Sequence, residues 1–256
     1  MKIEYFINDT LILLGRFIKH ITRSIDTLIT VCLTPIGIML LFVYVFGGAI
    51  GNGMSHAQYV QYMLPGILLM AISSAIGYSA MRLYQDVKQG FFDRFTSMPI
   101  HPSSLLWAHV LTSLVSNIIS CAFIILVAVF MGFRASFHLG NWMMAFFVLL
   151  LFTLALTWIA IIAGLKAKTI EGASAFSYPL VFLPFISSAF IPTDTMPTAI
   201  RVFAQHQPVT YIVDSVRALL MNQAGGDELW IGILWCVVIM VIACSYALHC
   251  FKHTKQ

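Results

Sequence analysis

Charge is the scarcest property of this chain. Only 9% of its 256 residues are Asp, Glu, Lys or Arg, while 60% are hydrophobic, and the mean hydropathy is +0.91. Soluble domains average about 25% charged residues and about half apolar ones, so the composition excludes a water-soluble globular class and leaves a polytopic membrane protein. Charge is also missing from the interior of every long apolar run. Intramembrane carboxylates and amines usually mark proton or ion relays, and their absence argues against an ion-coupled antiporter. No G-x-x-x-x-G-K-[ST] occurs, since Gly164-Leu165-Lys166 is only a superficial likeness, and no P-loop site for nucleotide is expected. The five cysteines, Cys32, Cys121, Cys236, Cys244 and Cys250, share no C-x-x-C spacing. They read as small core hydrophobes, with neither a metal site nor a disulfide framework implied. Glu4, Asp9 and the polar interruption at 19–26 leave no short apolar core with a cleavage site, so no signal peptide is expected.

Apolar runs of bilayer-spanning length fall at 27–50, 60–81, 105–131, 142–165, 174–191 and 229–251. They predict an all-α polytopic membrane protein with six transmembrane helices in a single domain, 1–256. An even number of spans places both termini on one side. Lys2, Arg16, Lys19, Arg23, Arg82, Lys88, Arg94, Lys166, Lys168, Lys252 and Lys255 fall on that side, and only Arg134, Arg201 and Arg217 fall opposite. By the positive-inside rule the termini are cytoplasmic, in a cell membrane. The formal net charge of +4 reflects this inner-face bias and does not point to nucleic acid.

Residues 1–25 carry Ile3, Phe6, Ile7, Leu11, Leu14, Phe17 and Ile18 at helical spacing, with Arg16, Lys19 and Arg23 mostly on the other face. This suits a helix lying on anionic lipid headgroups or packed against the protein. Pro65, Gly66, Ser73, Ser74, Gly77, Tyr78 and Ser79 in the second span provide small and hydroxylic side chains, for close helix packing or for a cavity face that Met70 and Tyr78 would touch. Residues 84–102 mix charges with Phe91, Phe92 and Phe95 before Pro99 and Pro102. A short helix with aromatic anchors fits either a protein interface or the membrane surface. Pro179 and Pro184 lie inside the fifth span and Pro192 at its end, so this helix is kinked or broken and needs neighbours to satisfy its backbone. Phe182, Phe185, Ser187, Ser188 and Phe190 would then face the bundle interior.

Residues 192–228 predict an outer helical hairpin, docked on or re-entering the membrane. Thr193 or Asp194 caps a first helix, and Pro208 opens a second with Val209, Ile212, Val213, Val216, Leu219 and Leu220 on one stripe. Asp214 and Arg217 are expected on that helix's polar side. Gly172-Ala173-Ser174-Ala175 loosely resembles the serine motif of rhomboid proteases, with His249 as candidate base. Small residues at a helix start explain it better, and His109 and His249 read as packed or interfacial side chains.

Three segments together carry a stronger resemblance: F-I-P-x-D-x-M-P at 190–197 with H-Q-P-V-T at 206–210, Arg217 and Leu219-Leu220; G-F-F-D-R-F-x-S-M-P-I at 90–100; and L-P-G-I at 64–67. The chain resembles the daunorubicin-resistance type of ABC-2 exporter permease over nearly its whole length. That resemblance implies a permease without its own ATPase site, which dimerises with itself or a close paralogue and binds two ATPase subunits that carry ATP and Mg. Its cargo would be amphipathic drugs, lipids or related compounds, moved by alternating access. Relatives of the same architecture export polysaccharides or glycolipids, and an ATPase-independent transporter or channel is the alternative of another class. By the same resemblance, Gly90, Phe91, Phe92, Asp93, Arg94 and Phe95 form the coupling helix. The second and fifth spans line the path, with Met70, Ser74, Tyr78, Phe182, Phe185 and Ser188. Phe190, Pro192, Asp194, Pro197, Gln207 and Pro208 belong to an outer gate.

Overall fold

The structure is a computed structural model and describes residues 10, 12–15, 25–47, 54–90, 102–134 and 138–253. Every regular element among them is helical. Helix α1 (Ile25–Leu40) runs into a π-helical turn (Leu41–Phe46); α2 is His56–Lys88, α3 Pro102–Phe130 and α4 Leu139–Lys166. Two short helices, α5 (Ile170–Ala175) and α6 (Ser177–Phe182), lead into a 3-10 turn (Leu183–Ile186). A second 3-10 turn (Thr193–Thr195) precedes the hairpin of α7 (Thr198–His206) and α8 (Pro208–Leu220), and α9 (Gly226–His253) follows. Of the expected N-terminal helix, 1–25, all but Thr10, residues 12–15 and Ile25 lies outside the described residues. Thr10 and Leu13 are buried and Ile12 is exposed, a two-faced pattern.

Four described helices, α2, α3, α4 and α9, are long and apolar enough to cross a bilayer. The sequence runs at 27–50 and 174–191 correspond to apolar helices that are shorter, and both contain proline. α2 is the most buried of the four and the least hydropathic, α3 and α9 are more apolar and the least buried, and α4, the most apolar, is intermediate in burial. Phe130, Trp230, Leu234 and Ile242 stand exposed on that surface. An apolar patch of this extent is incompatible with water around a monomer and is what lipid-facing helices require.

Helix α2 is the centre of the bundle, and its length follows from its ends. At Ser55 a capping box forms, in which Ser55 Oγ accepts from the Gln58 N–H at 3.4 Å and Gln58 Oε1 accepts from the Ser55 N–H at 2.9 Å. At the other end Gly90 adopts a positive φ of 67°, the left-handed conformation that stops helices. Nothing between them breaks the backbone ladder except Pro65, so 33 residues run for about 50 Å. That exceeds a bilayer core of about 30 Å, so Tyr84 to Lys88, expected at the start of the coupling segment, form the last turns of α2.

Glycines set how closely its neighbours approach. A Cβ on Gly66 would lie 2.5 Å from Ala189 Cβ, one on Gly77 2.5 Å from Ser177 Oγ, and one on Gly164 of α4 2.8 Å from the Ala80 carbonyl. The small residues of L-P-G-I and G-Y-S thus bring α2 against the broken helix and α4. Hydroxyls bond across the same contacts: Ser79 and Ser113 are 3.0 Å apart, and Thr157 donates to Ser113 at 3.4 Å. Near the α2 terminus His109 Nε2 stands 3.2 Å from Asp86 Oδ2.

Candidate functional site at the broken helix and the hairpin

Proline decides the shape of the segment from 170 to 192. Pro179 and Pro184 divide it into α5, α6 and the 3-10 turn, after which the chain leaves helical geometry at Ser187 (φ −132°, ψ −176°). Such a break frees carbonyls, and inside a membrane protein these must find donors. The hairpin supplies them. Gln207, 4% exposed at the joint between α7 and α8, donates through Nε2 to the carbonyls of Ile186 and, at 3.5 Å, Leu183. Ser187 Oγ donates to the Pro184 carbonyl at 2.7 Å and accepts from the Ala189 N–H at 3.1 Å.

Arg217 of α8 completes the arrangement. Its Nη2 donates to the carbonyls of Ser188 at 2.7 Å and Ala189 at 3.4 Å, its Nε to the Tyr62 carbonyl of α2 at 3.0 Å, and its Nη1 to Asp214 Oδ1 at 2.5 Å. The guanidinium also lies over the Tyr62 ring at 3.9 Å, a favourable cation–π placement. Tyr62 Oη donates to the Ser188 carbonyl at 3.0 Å, and Ser188 Oγ donates to Asp214 Oδ1 at 2.7 Å. Four side chains therefore clasp α2, the end of the broken helix and the hairpin together. Burial raises the Asp214 carboxyl above its ordinary value, with the Ser188 hydroxyl and Arg217 pulling it back, and burial lowers the Arg217 guanidinium. Arginine nevertheless stays charged, and four of its hydrogen bonds here go to three carbonyls and one carboxylate.

This corrects the expectation for Arg217. Helical periodicity assigns it, with Asp214, to a polar side; Asp214 is 34% exposed, yet the Arg217 side chain is 12% exposed and turns inward. A stripe analysis cannot see carbonyls freed on another element. Tyr62 is the clasp member that sequence reasoning did not single out. The Asp214-x-x-Arg217 pair was visible on the hairpin helix, but the carbonyls it meets were not.

Beside the clasp, Phe190 stacks on Phe42 of the π turn at 5.0 Å between ring centroids, and Phe185 lies 4.9 Å from Phe190 and 6.3 Å from Phe42. Phe190 is buried while Phe182, 6.1 Å from Phe185, is 61% exposed. Of the other expected path residues, Met70 is buried in the core, Ser74 Oγ donates to the Met70 carbonyl of its own helix at 2.9 Å, and Tyr78 is half-buried. Ser188 belongs to the clasp. Of the expected gate residues, Gln207 and Phe190 join the broken helix, and Pro208 opens α8. Pro192 is half-buried, and Asp194 and Pro197 are exposed. Arg201 tightens that turn, donating through Nη2 to the carbonyls of Asp194 at 2.5 Å and Met196 at 3.0 Å.

At the opposite end of α2, Gly90 is the helix-stopping residue, while Phe91, Phe92, Asp93, Arg94 and Phe95 lie outside the described residues. Ser174 Oγ donates to the Glu171 carbonyl at 3.1 Å, an ordinary contact at a helix start. The described cysteines are free thiols.

An all-helical bundle that turns apolar surface outward, with a discontinuous helix held by an adjoining hairpin, defines a polytopic membrane protein of transporter type. The sequence pattern described as ABC-2 type transporter matches residues 8–221, and the chain belongs to that family. It is 29% identical over 220 residues to the daunorubicin resistance ABC transporter permease protein DrrB1 of Streptomyces coeruleorubidus, covering 84% of this chain and 75% of the relative. It is 28% identical over 225 residues to the putative transport permease ycf38 of Cyanophora paradoxa, covering 86% and 77%. A third relative is the probable doxorubicin resistance ABC transporter permease protein DrrC of Mycobacterium tuberculosis, 25% identical over 243 residues, covering 93% and 86%.

Proposed function

We propose that this chain is the membrane-embedded permease subunit of an ATP-driven exporter of amphipathic drugs, lipids or related compounds. Six crossings result when α1 with its π turn and the segment from α5 through the 3-10 turn are counted with the four long helices. The Lys and Arg bias then puts both termini in the cytoplasm and the hairpin on the outer face. Two permease copies pair, and two ATPase subunits, which bind ATP and Mg, dock on the segment from Gly90 to Phe95 together with the N-terminal segment. Their closure is transmitted along α2, whose rigid helix connects Gly90 to the clasp at Tyr62.

The observation that carries this reading is the clasp itself. The backbone carbonyls of Leu183, Ile186, Ser188 and Ala189 are held by side chains of the hairpin, so hairpin movement and rearrangement of the broken helix are one event. Met70, Ser74, Tyr78, Phe182 and Phe185 line the path that this rearrangement opens, and Phe190, Pro192, Asp194, Pro197, Gln207 and Pro208 form its outer closure. Coupling is tested in vesicles holding permease and ATPase together. Phe91→Ala, Phe92→Ala and Arg94→Ala should lower ATP-driven efflux and ATPase co-purification at least about tenfold, the loss of one interface anchor, with membrane insertion unchanged. Full export and full ATPase binding by all three would reject the coupling assignment.

A further inference from the structure

A cavity of about 160 Å³ lies among α2, α3, α4 and α8, and none of the roles above uses it. Leu68, Leu149 and Val216 contribute apolar wall. Ile118 and Phe146 line it from α3 and α4 and are also 38% and 49% exposed on the outer surface, so its mouth lies on the lipid side between those helices. One water occupies about 10–15 Å³ measured this way and needs two to four polar partners. The cavity therefore has room for much more than a water and too few polar groups to hold a cluster of them.

Asn117 lines the same cavity and is 2% exposed. Its Nδ2 donates to the Ser113 carbonyl at 3.0 Å. A carbonyl only accepts, so this bond fixes the orientation of the amide and leaves Oδ1 as an acceptor. That oxygen is buried and has no hydrogen-bond partner in the structure, an arrangement unfavourable in an apolar interior. Asn117 is also near the midpoint of α3, roughly 20 Å from either end, beyond the reach of a lipid headgroup at the membrane surface.

We propose that this cavity binds an apolar amphiphile, entering from the membrane between α3 and α4, whose hydroxyl or N–H is set within its apolar body and donates to Asn117 Oδ1. Hydroxylated ring systems and long-chain alcohols have this chemistry; a phospholipid, with its donors at the surface, does not. The site lies within one protomer and stands independently of the transport reading.

The test uses the whole protein in lipid nanodiscs with two photoreactive probes, a diazirine-bearing long-chain alcohol and its methyl ether, and maps the labelled peptides by mass spectrometry. The alcohol should label residues 118–122 and 145–150 about tenfold more than the ether, the worth of one hydrogen bond. Asn117→Leu should erase that preference while labelling of exposed Trp230 and Leu234 on α9 stays constant, and Ala145→Phe should diminish both probes at the cavity. Daunorubicin added as competitor separates the sources: displacement of the alcohol identifies the site as one for cargo, and no displacement identifies it as one for a membrane constituent. Equal labelling by alcohol and ether, or a chain-labelled phosphatidylcholine filling the cavity as well as the alcohol does, overturns the proposal. The alcohol-to-ether ratio in the unsubstituted protein decides the matter even if a variant fails to fold.

Discussion

Arg217 holds three elements together because a guanidinium presents five N–H donors in a rigid fork. Three of its four partner residues are met at backbone carbonyls, and only Asp214 is met at a carboxylate. The two kinds of contact predict different mutational costs. Arg217→Ala removes the charged donor from the Tyr62, Ser188 and Ala189 carbonyls, of which Ser188 keeps the Tyr62 hydroxyl, and should cost about 3 kcal/mol, the upper end of the range for hydrogen bonds to a charged group. Arg217→Lys should recover only part of this, because one ammonium cannot reach the same set of acceptors. Asp214→Asn should cost less than about 1 kcal/mol, since that side chain is 34% exposed and partly exposed ion pairs contribute little. Thermal unfolding of the purified protein in detergent provides the ranking; a larger loss for Asp214→Asn would assign the clasp to the ion pair. The importance of Arg217 was legible as a motif residue, but its direction was not.

At the scale of elements, the proline-broken helix, the Pro208 start of α8 and the stripe from Val209 to Leu220 were all legible, because proline and apolar periodicity act locally. The buried set of α8 includes every residue of that stripe. The extent of α2 was less legible, since hydropathy marks where a helix enters lipid and not where its hydrogen bonding stops. Gly66 illustrates a further limit: its place in L-P-G-I is visible, but the reason for it is Ala189, a residue 123 positions away whose Cβ leaves no space for another. Gly66→Ala should therefore destabilise by about 1–3 kcal/mol through overpacking, despite the usual gain in helix propensity. Adding Ala189→Gly should restore part of the loss, which a double-mutant cycle on melting temperature would show as coupling. Simple additivity would place the cost of Gly66→Ala elsewhere.

For the whole molecule, the clasp means that the hairpin cannot leave the broken helix without releasing its carbonyls. If export needs that release, fastening the two should stop it. Ser188→Cys with Asp214→Cys replaces side chains whose polar atoms are 2.7 Å apart. Oxidation of this pair should abolish ATP-driven efflux while leaving ATPase binding intact, and reduction should restore it. Undiminished efflux from fully crosslinked protein would make the clasp a static brace.

Some properties of this protein are set by its sequence alone. Charge poverty and the length of its apolar runs require a membrane solvent, and the prolines require a broken helix. Each of these depends on a residue and its solvent or its own backbone, and so can be read along one dimension. Only the tertiary structure decided which donors serve the freed carbonyls, that Arg217 turns inward, and that Asn117 faces a cavity. Those outcomes depend on groups far apart in the chain competing for the same buried space, where an unpaired polar atom is costly and its nearest partner is chosen by packing.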